Sequence, residues 1–261
     1  MGHKYSTLDV QIDDRGVVSL VLDRPEKKNA LSALMIQELT HFATHLPAQT
    51  RVVVISGNGS VFCAGGDLGW MQSQIEADRE TRMQEARKLA MMLNALNEMN
   101  APLIGRVHGG AFGGGIGMCC VCDCVIAAEN TKFGLTETRL GLIPATISPY
   151  VLARMGEGAA RRVFMSARIF DAAEARELEI VSAVVSDADL DTRIEIEVAP
   201  YLSVAPGAVV AAKKLARSLG PTITAQTIEM TIQVLADTWE DEEAKHGISA
   251  FLKKAQPRWS S

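Results

Sequence analysis

The stretch Gly109–Cys124, GGAFGGGIGMCCVCDC, holds six glycines and four cysteines in sixteen residues, and the fold and chemistry of the chain turn on which set matters. Zinc sites favour C-x₂₋₄-C pairs with a second pair supplied elsewhere. Here Cys119, Cys120, Cys122 and Cys124 are joined only by the remote Cys63, and no histidine adjoins them. Free cysteine behaves as a small buried hydrophobe, so these side chains read as packing and no metal is expected. The glycines then compete among three readings. A dinucleotide fingerprint needs G-x-G-x-x-G with an acidic residue about 20 positions on; Gly113, Gly115 and Glu137 mimic part of it, but the third glycine is missing and Glu137 does not end the next strand. A Walker A loop fails because no Gly-Lys-Ser/Thr follows. In the third reading, small residues at a helix N-terminus let the backbone approach a ligand with free N–H groups outward, which is half of an oxyanion hole.

Working outward, a second turn has the same habit. In FCAGGDL, Ala64, Gly65 and Gly66 lie between the apolar run VVVIS and a helical stretch. Upstream, TLDVQIDD and GVVSLVLDRP alternate as a hairpin across Asp13–Gly16. Leu31, Leu34, Met35, Leu39, Phe42 and Leu46 fall at helical spacing, and RVVVISG reads as a strand covered on both faces. A polar, mobile-looking stretch, Gln72–Thr81, precedes a helix through RKLAMMLNALNEM. The unit then recurs as strand PLIGRVHG, the glycine turn, helix GIGMCCVC and strand CVIAAE. Further helical signals lie at SPYVLARMG, GAARRVFMSA and DAAEARELE, before the short strand VSAVVS. From about Leu190 the pattern is helical only, with four segments suited to a lid or an oligomerisation appendage.

Composition narrows the function classes. The chain has 261 residues, 48% of them hydrophobic, with 26 basic and 31 acidic residues and a formal charge of −5, which excludes the basic footprint of a nucleic-acid binder. The first residues lack a long apolar segment, and no window approaches 18 uninterrupted apolar residues, so neither export nor membrane spanning is expected and a cytoplasmic location is. Five cysteines make an odd count for a disulfide framework.

RPEKKNALS, FCAGGDL, GGAFGGGIGMCCVCD and FGLTETRLGLIPATISPYVLARMGEGAARR, in that order and spacing, resemble the enoyl-CoA hydratase/isomerase (crotonase) superfamily. The similarity extends to the HGISAFLKKAQPRW tail. Within the superfamily, RLGLIPATISPYV and AFGGGIG look most like the bacterial branch labelled methylglutaconyl-CoA hydratase, an enzyme of leucine breakdown. The resemblance implies an α/β fold: a crotonase-like spiral of repeated ββα units over residues 1–190, and a C-terminal helical oligomerisation region over residues 191–261 that builds a homotrimer or a dimer of trimers. It implies an acyl-CoA thioester as substrate and no separate cofactor.

Residue by residue, the resemblance places the two thioester-binding N–H groups on Gly66 and Gly114, where they stabilise an enolate. Ala30, Ala64, Asp67, Leu68 and Gly69 match positions that line CoA, and Lys27 or Lys28 the place where basic side chains meet its phosphates; a solvated turn is the plain alternative for the lysines. Hydratases of the family use two carboxylates. Only the second survives, as Glu137, which could otherwise simply open a helix after Thr136; Gly117 stands at the first position. A lone acid beside an oxyanion hole suits proton removal and return, the chemistry of a Δ3-Δ2 enoyl-CoA isomerase, and a non-catalytic acyl-CoA-binding member is a further alternative to a hydratase. Glu85 is the candidate to replace the missing acid, against an ordinary surface glutamate paired with a neighbouring arginine. Asp123 matches a buried structural aspartate, and His108 reads as structural. Thr146, Ile147, Ser148 and Pro149 replace small residues beside Glu137 and are expected to reshape the acyl pocket, with Trp70 as another wall.

Overall fold

In the computed structural model, which describes residues 3–260, the hairpin forms as read. Strand β1 (Leu8–Ile12) runs antiparallel to β2 (Val17–Leu22), and Asp13 Oδ1 accepts from the N–H groups of Arg15 and Val17 to close the turn. Helix α1 (Ala33–Thr44) starts where Ser32 Oγ accepts from Met35 N–H, and it buries Met35, Ile36, Leu39 and Phe42. Leu34, expected on that stripe, instead lies 46% exposed, because Ile36 occupies the inner face in its place. Strand β3 (Val52–Gly57) then pairs in parallel with β2.

The polar stretch Gln72–Thr81 is almost entirely helical. Helix α2 (Leu68–Glu76) and helix α3 (Arg79–Asn97) occupy almost all of it. Two aspartates make this possible: Asp67 accepts from Gly69 and Trp70 N–H, and Asp78 from Thr81 N–H, so each helix begins on a side-chain cap.

Strand β4 (Leu103–Val107) joins β3 in parallel. Strand β5 (Gly110–Phe112) leads directly into helix α4 (Gly114–Val121), and β6 (Cys124–Ala128) returns beside β4. Next come β7 (Lys132–Gly134), α5 (Ser148–Phe164, broken at Gly156), β8 (Ile169–Asp171), α6 (Ala172–Glu177) and β9 (Ala183–Val185). The main sheet has the order β1-β2-β3-β4-β6-β9, parallel except at β1, and β5-β7-β8 form a smaller second sheet. Strands β5 and β8 escape sequence reading because three residues are too few to show alternation.

Four helices complete the chain: α7 (Leu190–Val198), α8 (Pro206–Leu219), α9 (Ala225–Glu240) and α10 (Glu242–Leu252). Ile232, Leu235 and Trp239 of α9 and Ile248 of α10 share one apolar cluster with Met71 of α2 and Ala90 of α3. Helix α8 contrasts with them, since it has no buried residue and leaves Leu215 60% and Leu219 80% exposed. Among the described residues no single helix is long and apolar enough to cross a membrane; a pair bent by 108°, Asp187–Ser203 with Pro206–Leu219, passes on length and composition alone.

Candidate active site

Two single-residue bridges bring the glycine turns together. Cys63 pairs in parallel with Ala111, through Cys63 N–H to Gly110 O at 3.1 Å and Phe112 N–H to Cys63 O at 3.0 Å. The two segments therefore run side by side, and Gly66 and Gly114 each lie three residues downstream of the pairing. Gly66 is itself bridged to Leu31, by Leu31 N–H to Gly65 O at 2.8 Å and Asp67 N–H to Leu31 O at 3.1 Å. In such a bridge the flanking residues supply the bonds, so Gly66's own N–H points away from Leu31. Gly114 is the first residue of α4, where an N–H has no intrahelical acceptor. Neither amide has a hydrogen-bond acceptor among the described residues, and both line one cleft of about 560 Å³. An amide pair left open at a helix start favours a developing negative charge.

Glu137 reaches the same cleft through the second sheet. Phe112 pairs with Gly134, Gly113 N–H donates to Gly134 O at 3.0 Å, and the chain after β7 turns in a 3₁₀ helix, Glu137–Leu140, beside the start of α4. Gly113 sits at φ 47°, a conformation that favours glycine, and a Cβ there would lie 2.8 Å from Glu137 Oε1. Glu137 Oε2 is buried with no hydrogen-bond partner. Burial pushes the Glu137 pKa up from 4.5 to about 7, against a smaller lowering contribution from its own backbone N–H. An acid so placed exists in both protonation states near neutrality, and it can take a proton and give it back.

The cleft gathers the remaining expected residues. Lys27 and Lys28, on the turn beginning at Pro25, line it together with Ala30, Ala64, Leu68 and Gly69. Asp67 is also in the wall, but its carboxylate is already engaged: Oδ1 caps α2, and Oδ2 accepts from Arg24 Nη2 at 3.0 Å. Arg24 holds the Asp67 carboxyl below its usual range, together with the two capping N–H groups and against the opposing effect of burial. Its contribution to a ligand is therefore backbone and shape.

Sequence comparison identifies the family. The Enoyl-CoA hydratase/isomerase family matches residues 13–261 of this chain. The chain belongs to this family. Among solved structures, an enoyl-CoA hydratase from Shewanella pealeana is 37% identical, with a TM-score of 0.80 over 98% of this chain and 97% of that one. A Rhodobacter capsulatus protein named "Probable enoyl-CoA hydratase" is 30% identical over 260 residues, 98% of each chain. An enoyl-CoA hydratase of Alternaria alternata is 32% identical over 188 residues, which are 71% of this chain and 60% of that protein.

Position 117, where the resemblance places a first carboxylate, is closed to a side chain. A Cβ on Gly117 would lie 2.6 Å from Ile147 Cγ2 and 3.1 Å from its Cβ, so Ile147 fills the space a side chain from position 117 would need. Thr146 and Ile147 line the cleft, whereas Ser148 and Pro149 do not. Glu85, the expected substitute acid, is not in the cleft wall. It is held by Lys88 at 2.5 Å and accepts from Trp70 Nε1 at 3.3 Å, and Trp70 rather than Glu85 faces the cavity.

All five cysteines are buried free thiols, and burial raises the pKa of each. Among the described residues no group of three His, Cys, Asp or Glu side chains is placed to hold a metal ion. His108 is tied to Gly59 O at 2.8 Å, and Asp123 accepts from Leu103 N–H and pairs with Lys213 at 2.7 Å. Among the walls that sequence reading missed are Leu235 and Trp239 of α9 and Phe251 of α10. Their spacing looks like ordinary helix core, and nothing in it distinguishes packing against the body from packing over a cleft.

Proposed function

We propose that the protein hydrates a 2-enoyl-CoA, with Glu137 as its only acid–base group. The observation that carries this is the lone Glu137 carboxyl, its Oε2 unpartnered, in the cleft lined by the open amides of Gly66 and Gly114. The thioester oxygen accepts from both amides. Glu137 as carboxylate takes a proton from water while the water oxygen attacks the β carbon, and the electron pair moves through the α carbon onto the thioester oxygen as an enolate. The protonated Glu137 then delivers its proton to the α carbon, which restores the carbonyl. One acid with a pKa near neutrality serves both steps. The thioester is the substrate, and the reaction requires no further cofactor.

The finer reading, methylglutaconyl-CoA as substrate, rests on the likeness of the Arg139–Val151 segment to that branch. Among the cleft-lining residues the cations are Lys27 and Lys28, neither on the segment that carries Glu137. A chain with a free terminal carboxylate finds no partner on that segment, so an uncharged 2-enoyl group is the better fit. Gly117 and Ile147 favour a second reading, Δ3-Δ2 isomerisation, in which Glu137 moves a proton from C2 to C4. The exposed apolar side chains of α8 support assembly into a homotrimer or a dimer of trimers.

Initial rates on crotonyl-CoA, 3-methylglutaconyl-CoA and a 3-enoyl-CoA separate these readings. Hydration predicts turnover of crotonyl-CoA that collapses in Glu137→Gln. Turnover of the 3-enoyl thioester alone would establish the isomerase, and tight binding with no turnover of any substrate would leave a binding protein.

A further inference from the structure

A second cavity, of about 840 Å³, lies between α5, α8 and the end of α3, and it shares no lining residue with the thioester cleft. Its polar atoms are out of balance. Of the seven buried side-chain polar atoms without a partner among the described residues, three belong to its wall: the Tyr150 hydroxyl, Arg154 Nε and Arg217 Nε. Tyr150 is 1% exposed. Orphaned buried donors are costly, and each calls for an acceptor.

Charge points the same way. Arg154, Lys213, Lys214 and Arg217 line the cavity against two acids, Asp123 and Glu98. Asp123 is already bound by Lys213 at 2.7 Å and Leu103 N–H at 2.8 Å, with Arg217 Nη2 farther off at 3.7 Å. Glu98 accepts from Asn97 Nδ2 at 3.1 Å. Arg217 Nη1 donates to Asn97 Oδ1 and Arg154 Nη2 to the Cys122 carbonyl, and Arg154 has no carboxylate within ion-pair distance among the described residues. Burial, with the Glu98 carboxylate, raises the Tyr150 pKa, so its hydroxyl stays a donor. The wall also has an apolar side, with Pro102, Val209 and Ile223, and the volume suits a small molecule.

We propose that this cavity is a second binding site, for a small organic anion whose carboxylate or phosphate is received by Arg154, Arg217 and the Tyr150 hydroxyl, and whose apolar body lies against Pro102, Val209 and Ile223. Guanidinium groups and a phenol in one wall match an oxyanion with several acceptor atoms.

Full-length protein is titrated calorimetrically with hexanoate, inorganic phosphate and hexan-1-ol, and crystals are soaked in 6-bromohexanoate to locate bromine by anomalous scattering. The site predicts bromine in this cavity and hexanoate bound more tightly than hexanol. It also predicts about a tenfold loss of hexanoate affinity at this cavity in Tyr150→Phe and Arg154→Gln, from the removal of one hydrogen bond to a charged ligand, with Glu137→Gln binding as wild type there. Tyr150→Phe is nearly isosteric and carries the test if Arg154→Gln does not fold. Bromine only in the thioester cleft or nowhere, hexanol binding equally well, or affinities unchanged in both variants would each overturn the proposal.

Discussion

The two walls of the cleft are made by different means. The amide wall is backbone: Gly66 and Gly114 are set by strand bridges and a helix start. The acid wall is one side chain, Glu137, on a short 3₁₀ turn, with its Oε2 buried and without a partner. Side-chain substitution removes the acid wall directly and the amide wall only through what supports it. The largest effect is therefore expected for Glu137→Gln, a fall in kcat on the order of 10²–10⁴ with KM within a few-fold of wild type, read by steady-state kinetics. If the rate holds, the acid wall is inert.

The same carboxyl gives a pH signature. Because its pKa is raised in the fold, folded protein retains a proton that the unfolded chain has lost between pH 4.5 and about 7. Its contribution to stability is therefore full below about 4.5, declines as the pH rises to about 7, and is then constant. The displacement corresponds to about 3 kcal/mol. Denaturant melts at pH 5 and pH 8 should show Glu137→Gln gaining on wild type by most of that amount at the higher pH. Equal pH dependence of the two proteins would mean that the carboxyl is solvated. Activity that depends on Glu137 as base should rise with pH through about 7.

The contrast between the walls also explains what the sequence makes legible. The glycine turns and the hairpin are visible because each depends on a local requirement, open backbone or alternation, whereas Glu137 is singled out only by the family resemblance. The vicinity of the acid depends on distant residues. Ile147 lies thirty positions from Gly117 in the sequence, yet the two are complementary in space. Trp239 and Phe251 reach the cleft from helices whose spacing reads as core, and Glu85 is diverted by Trp70 and Lys88. Position 67 shows the same limit, since a carboxylate matched to a ligand-lining position is spent on a helix cap and on Arg24.

The complementarity of Gly117 and Ile147 sharpens the comparison from the acid side. Gly117→Ala forces a methyl against Ile147 Cγ2 and is expected to cost about 1–3 kcal/mol of stability by overpacking. Ile147→Ala removes that atom, at the cost of a cavity. The double variant should be more stable than the sum of the two single effects predicts, because each change relieves the other. Additive losses in a denaturation cycle would show that the two positions do not share this space.

The smallest effect tests whether the amide wall is as independent of side chains as its bridges suggest. Arg24 donates to Ala30 O at 2.7 Å and to Asp67 Oδ2 at 3.0 Å, so one guanidinium spans the segment beside Leu31 and the cap immediately after Gly66. With side-chain exposures of 18% and 15%, the ion pair is shielded but not dry. Neither residue bears the amides proposed to receive the thioester oxygen. Arg24→Gln loosens the strap and leaves Gly66 its N–H, which predicts kcat lowered by about tenfold, a smaller change in KM, and partial recovery in Arg24→Lys, whose single ammonium keeps the charge but not the two-point span. The pH midpoint of activity should stay near 7, since Glu137 is untouched. A wild-type kcat in Arg24→Gln would show that the strand bridges alone fix the amide, whereas a shifted pH midpoint would show that the two walls communicate.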